Sequence, residues 1–217
     1  MASHGGILGL VVYTYYYAWR HKVSWTGIGD GLVTVAPPGL FFVRVANFIN
    51  GELYGRIASV SWAVQFPSEL REHPELLDKT PFANAAPESL VAVLREGGPD
   101  APALEAALRA ALPPRYPSQL IEAALEGVVL FVVLWLMRTR LRVPRGVLTG
   151  AFFVLYALLR IAGEQFRQPE DFNFGLPRGV FLSFFLIGIG VLFLCFALKK
   201  PVYEAAFSAE SSRQPKS

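Results

Sequence analysis

Long apolar runs punctuated by short basic clusters dominate the hydrophobic pattern of this chain, with runs at about residues 5–19, 28–49, 118–137, 146–163 and 180–198. A hydrocarbon core of ~30 Å needs about 20 apolar residues of helix at about 1.5 Å each. The pattern therefore predicts an all-α fold, a polytopic integral membrane helical bundle with about five transmembrane helices. The second run carries Asp30, the Pro37-Pro38 pair and Arg44. Those interruptions predict a kinked or broken helix that forms part of a site, because freed backbone groups are tolerated at membrane depth only where protein or a wet cavity satisfies them. From Gly51 to about Pro117 the runs give way to Pro, Glu and Arg, which predicts an extramembrane segment carrying a surface helix over Leu104 to Leu112. The expected organisation is residues 1–50 as the first two membrane helices, 51–117 as an extracytoplasmic segment, 118–200 as helices three to five, and 201–217 as a disordered cytoplasmic tail.

Charge orients this arrangement. The clusters Arg20-His21-Lys22, Arg138 to Arg145 and Lys199-Lys200 follow the first, third and fifth runs and fall on one side if the spans alternate. The positive-inside bias makes that side cytoplasmic and puts Met1 and residues 51–117 outside. An outside N-terminus that enters the membrane at once, with no charged residue before it, is awkward to insert, so an even number of upstream spans is expected before this sequence. Composition agrees: with 53% hydrophobic and 17% charged residues, a single soluble core is disfavoured. The net charge of +3 resides mostly at the ends of apolar runs and requires no nucleic-acid partner. Cys195 is the only cysteine, which excludes an intrachain disulfide and a cysteine metal cluster; no metal or cofactor is expected.

Polar residues inside apolar runs are the candidate chemistry. Tyr156, Arg160, Glu164 and Arg167 are offset so that on one helix they lie within about 80° of each other. Arg160 lies about 21 Å along a helix beginning at Gly146, in the outer half of the bilayer. Arg44 reaches a similar depth if Ile28 runs outwards. Intramembrane arginine is costly and marks a site with a partner, and paired guanidiniums suit a phosphate. The bland alternatives are that Arg160 and Glu164 neutralise each other and that Arg167 snorkels to the interface. Against them stands the gathering of His4, Arg44, Asn47, Asn50, Glu52, Arg56, Gln119, Tyr156, Arg160, Glu164 and Arg167 at or near the outer membrane half.

The run Arg44-Val45-Ala46-Asn47-Phe48-Ile49-Asn50-Gly51-Glu52-Leu53-Tyr54-Gly55-Arg56 resembles the signature of the bacterial prolipoprotein diacylglyceryl transferases. Three further blocks agree in order: His4-Gly5-Gly6 with Gly9; Arg115-Tyr116-Pro117-Ser118-Gln119-Leu120 with Glu122; and Tyr156, Arg160, Glu164 and Arg167 with Pro169. Departures include Val43 and Ala46 where the family usually has glycine, and Tyr116 where histidine is usual. The resemblance implies about seven spans, of which the first two lie upstream of Met1. It also implies transfer of the diacylglyceryl group of phosphatidylglycerol to the lipobox cysteine thiol of a prolipoprotein, in the bacterial inner membrane, with the site towards the outer leaflet.

On that reading Arg44 and Arg160 stabilise the leaving phosphate. A thiol with a pKa of about 8.5 must lose its proton, and His4 is the candidate base, the alternative being a polar residue that ends a helix. Glu164 orients Arg160 or Arg167, because a carboxylate between guanidiniums stays ionised and weakly basic. Asn47, Asn50, Glu52, Arg56 and Gln119 line the substrate cleft, Gly55 is a close-approach position, and Tyr156 anchors at the interface or hydrogen-bonds lipid oxygen. Two other readings compete: a non-catalytic phospholipid-binding protein of the same fold, and a transporter, which lacks its expected internal repeat.

Overall fold

The computed structural model describes residues 2–78, 80–97, 99, 101–169, 172–199 and 201–203, with the side chains of 2–4, 87 and 95 left aside. The tail expected to be disordered lies, from residue 204 on, outside the described residues. Among the described residues the fold is all-α apart from a two-stranded hairpin, β1 (Phe172–Asn173) with β2 (Leu176–Pro177), and a few isolated β-bridges. Its helices are α1 (Ala2–His21), α2 (Trp25–Asn50), α3 (Pro87–Glu96), α4 (Ala101–Ala111), α5 (Ser118–Glu122), α6 (Leu130–Arg140), α7 (Val147–Gly163) and α8 (Arg178–Lys199). A π-helical stretch, Ala123–Val129, joins α5 to α6 in one continuous helix over Ser118–Arg140.

The apolar runs become helices where the pattern places them. Three, Trp25–Asn50, Ser118–Arg140 and Arg178–Lys199, are long and apolar enough to cross a membrane, and Val147–Gly163 is a shorter apolar helix. Val35, Phe42, Leu136 and Phe196 on these helices are exposed, as a lipid-facing surface requires. Of the kinked or broken helix expected at Pro37-Pro38, the broken alternative does not hold: α2 runs through the pair.

The chain forms two compact units, residues 1–37, 129–157 and 184–217 in the first, and 38–128 and 158–183 in the second. In the first unit Asp30 acquires a structural role. Its carboxylate accepts hydrogen bonds from Gly146 N (2.7 Å), Thr149 N (2.8 Å) and Thr149 Oγ1 (2.7 Å). An acid inside an apolar helix thus satisfies the open N–H groups at the start of α7 and complements its dipole.

The second unit holds a core that the sequence pattern did not predict. Leu104 and Leu108 of α4, with Leu112, pack against Leu70, Leu77 and Leu90. The expected surface helix is therefore half core, with apolar residues four apart on one face. Beside this core Arg115 is buried and makes a bidentate pair with Glu69, which is 1% exposed. The Arg115 guanidinium also donates to Gly55 O (3.1 Å) and lies 4.6 Å from the Tyr54 ring centre. Its backbone bridges Ile57 and Val64, so one residue ties three chain segments together.

Candidate functional site

The site begins where α2 ends. Gly51, at φ +71°, closes the helix in a Schellman motif: Glu52 N donates to Asn47 O (2.9 Å) and Gly51 N to Phe48 O (3.0 Å). The following loop is held by α5, with Gln119 Nε2 donating to Glu52 O (2.6 Å) and Ser118 Oγ to Leu53 O (3.2 Å). Next in the chain, Gly55 bridges Arg167 and its N donates to Tyr116 O (3.1 Å). A Cβ at Gly55 would collide with Tyr116 O and approach Phe166 O to 2.6 Å. Because both obstacles are backbone carbonyls, Gly55→Ala should destabilise by about 1–3 kcal/mol. The fall in denaturant midpoint of the purified protein in detergent measures it, and an unchanged midpoint would contradict the close approach.

One turn into the membrane helices lies the ionic cluster. Arg44 Nε is 3.1 Å from Glu122 Oε2, and Arg44 Nη2 donates to Glu126 Oε2 at 3.0 Å. Arg160 Nη1 donates to Glu122 Oε1 at 2.9 Å and Glu126 Oε1 at 3.3 Å. Arg160 Nη2 is 3.5 Å from Glu164 Oε2, and Arg167 Nη1 is 3.8 Å from Glu122 Oε1. Three guanidiniums therefore meet three carboxylates. Glu122 and Glu126 are almost completely buried, 2% and 0% exposed at the side chain, whereas Arg44 and Arg160 retain 12% and 14%. The carboxylates form the floor and the arginines the rim. Among the described residues Arg44 Nη1 has no hydrogen-bond partner, so its donors remain available to an anion.

Local structure explains how a helix delivers both acids to two arginines. A π-helical turn widens the backbone, and such turns recur at functional sites; here it spans Ala123–Val129 and carries Glu126. Within it Gly127 lets α2 come close, since a Cβ there would lie 2.6 Å from Phe41 Cβ. Phe41 is one turn before Arg44.

Of the residues singled out in the sequence, Arg44, Arg160, Glu164 and Arg167 come together. Arg167 does so by a different route from the one expected: α7 ends at Gly163, and Arg167 lies beyond a turn, bridged to Gly55, with its carbonyl accepting from Arg56 Nε (3.0 Å). Glu164 is not the principal partner of Arg160, because Glu122 is closer. Gly55, Arg56, Glu52 and Gln119 build the adjoining loop, and Asn50 and Glu52 line a polar cavity of about 430 Å3 with Arg71, Glu72 and His73. Asn47 contributes its carbonyl to the helix terminus. Tyr156 stacks on Phe152 at 5.8 Å in the other compact unit. The His4 side chain lies outside the described residues. Glu126 was missed in the sequence and Glu122 was noted only as part of a motif; two acids four residues apart inside an apolar run were the available signal.

Apolar helices long enough to cross a membrane, carrying a buried arginine–carboxylate cluster beneath a loop pinned by backbone bridges, define an all-α membrane protein. The sequence profile of the prolipoprotein diacylglyceryl transferase family matches residues 1–196. Among relatives named phosphatidylglycerol--prolipoprotein diacylglyceryl transferase, that of Paraburkholderia phymatum is 38% identical over 96% of this chain and 66% of its own length. That of Burkholderia lata is 34% identical over 95% of this chain and 67% of its own. A Burkholderia mallei relative is 36% identical over 92% and 64%. The chain belongs to the prolipoprotein diacylglyceryl transferase family. It spans about two thirds of the length of these relatives.

Proposed function

We propose that the protein transfers the diacylglyceryl group of phosphatidylglycerol to the lipobox cysteine thiol of prolipoproteins, the first step of lipoprotein maturation. The observation that carries this reading is the convergence of Arg44 from α2 and Arg160 from α7 on Glu122 and Glu126, with Arg44 Nη1 still without a partner among the described residues. In the reaction the sulfur attacks a glycerol carbon as the carbon–oxygen bond to phosphate breaks. A thioether forms, the electron pair leaves with the phosphate oxygen, and glycerol phosphate departs. Charge grows on that phosphate in the transition state, where positioned guanidiniums stabilise it more than in the ground state. Arg44 and Arg160 fill this role, and Glu122 and Glu126 hold them at a fixed geometry without a reorganisation cost. Carboxylates between guanidiniums are poor bases; the family resemblance of the His4-Gly5-Gly6 block makes His4 the acceptor of the thiol proton in this reading. Glu164 and Arg167 complete the cluster, while Asn47, Asn50, Glu52, Gly55, Arg56 and Gln119 shape the substrate cleft.

The orientation that the basic clusters favour puts this site towards the outer leaflet of a bacterial inner membrane, in a multi-pass protein whose residues 51–117 are extracytoplasmic. Phosphatidylglycerol enters from the membrane, and the prolipoprotein presents its lipobox at the same leaflet. The test is transfer from labelled phosphatidylglycerol to a lipobox peptide. Arg160→Ala and Arg44→Ala should each lower the rate by about 10²–10³-fold, the usual loss of one transition-state donor. Product formed at an undiminished rate by both variants would remove the arginines from the reaction; no product from the unaltered protein would favour lipid binding without catalysis.

A further inference from the structure

The first compact unit contains a cavity of about 670 Å3, within the ordinary range for small-molecule sites. Its wall is apolar and aromatic, built from Trp25, Leu192, Phe193, Phe196 and Ala197. Its polar lining is Ser24, Thr26 and Arg145. The Arg145 Nε is buried and makes no hydrogen bond, which is costly for a charged group unless a partner arrives. The surrounding charge is one-sided. Among the described residues of this unit Asp30 is the sole acid, and its carboxylate is occupied by Gly146 and Thr149. Arg138, Arg140, Arg142, Arg145 and Lys199 have no ion-pair partner among the described residues.

We infer that this cavity binds an anionic phospholipid as a resident lipid, with an acyl chain along the Trp25–Phe193–Phe196 wall and the phosphate at Arg145. Charge complementarity selects the occupant: an apolar slot with a cation at its polar edge, where the one acid of this unit among the described residues, Asp30, is already engaged by Gly146 and Thr149, favours an anionic lipid over a zwitterionic one. Basic pockets between membrane helices take anionic headgroups for this reason. The site shares no lining residue with the arginine–glutamate cluster, and the inference does not depend on the proposed transfer.

The test uses the full chain with Trp19, Trp62 and Trp135 changed to Phe, so that Trp25 alone reports. It is reconstituted in phosphatidylcholine nanodiscs containing a minor fraction of acyl-brominated phosphatidylglycerol, or the same fraction of brominated phosphatidylcholine. Trp25 should be quenched preferentially by the brominated anionic lipid. Arg145→Gln should lower that preference by about fivefold, the equivalent of about 1 kcal/mol for one basic contact. Ile189→Phe, on the exposed edge of the cavity, should lower quenching by both lipids and serves if Arg145→Gln does not fold. Arg160→Gln should leave the preference intact while abolishing transfer, which separates this site from the cleft. Equal quenching by the two lipids, a preference untouched by Arg145→Gln and Ile189→Phe, or a preference lost in Arg160→Gln would each overturn the assignment. Displacement of the quenching by inorganic phosphate would also overturn it, marking a bare anion site.

Discussion

Glu126→Ala should destabilise the protein by about 3–5 kcal/mol, the cost of removing one partner from a buried ion pair. The magnitude follows from what is left behind. Glu126 is fully buried and receives Arg44 Nη2 at 3.0 Å and Arg160 Nη1 at 3.3 Å. Without it two guanidiniums share Glu122, which Arg167 also approaches at 3.8 Å, so a neutral arrangement becomes one with an uncompensated positive charge. Glu126→Gln keeps the shape and one acceptor but not the charge, and should fall between the two. Combining Glu126→Ala with Arg44→Ala should recover at least about 0.5 kcal/mol relative to the sum of the single losses, because the residues belong to one network. Denaturant unfolding in detergent measures the parent and the four variants, Arg44→Ala alone included. A Glu126→Ala midpoint equal to that of the parent would show that Glu122 alone holds both arginines.

The same cluster shows which features were legible in the sequence. Arg44 and Arg160 stood out because a guanidinium inside an apolar run is expensive wherever it occurs. Their partners were harder to see, since the offsets within one helix directed attention to Glu164, four residues from Arg160. The decisive contacts come from a different helix, and only the tertiary approach at Gly127 and Phe41 and the π-helical turn reveal them. The apolar runs forecast the helices well, because length and hydrophobicity are properties of each segment alone. At the Pro37-Pro38 pair the sequence left a kinked and a broken helix open, and α2 stays helical through it, although two N–H groups are missing. The core of residues 51–117 was not legible behind the surface helix expected there, since prolines and charges mask apolar positions such as Leu70, Leu77 and Leu90 that meet only on folding.

Arg115→Ala should have an effect as large, about 3–5 kcal/mol, in the same compact unit but at a different buried pair. It leaves the Glu69 carboxylate buried without its bidentate partner, removes the donor to Gly55 O, and takes the cation from the face of Tyr54. The hydrogen bond to Glu69 is the first reason the Arg115 pKa is raised, ahead of burial, which opposes it. Arg115→Lys keeps the charge but not the planar fork, and should recover only part of the loss. Arg115→Met with Glu69→Leu replaces both charges by apolar groups and should be more stable than either single substitution. Tyr54 supplies an independent pH signature. Burial, followed by its hydrogen bond to Glu72 at 2.6 Å, pushes the Tyr54 pKa up. A raised value in the folded state means that its contribution is complete below about pH 10, the ordinary tyrosine value, and is lost as pH rises beyond it. Limited proteolysis between residues 51 and 117 should therefore accelerate above about pH 10 in the parent, and Tyr54→Phe should remove that step. If cleavage of Arg115→Ala and the parent proceeds at the same rate at neutral pH, the buried pair does not hold this unit together.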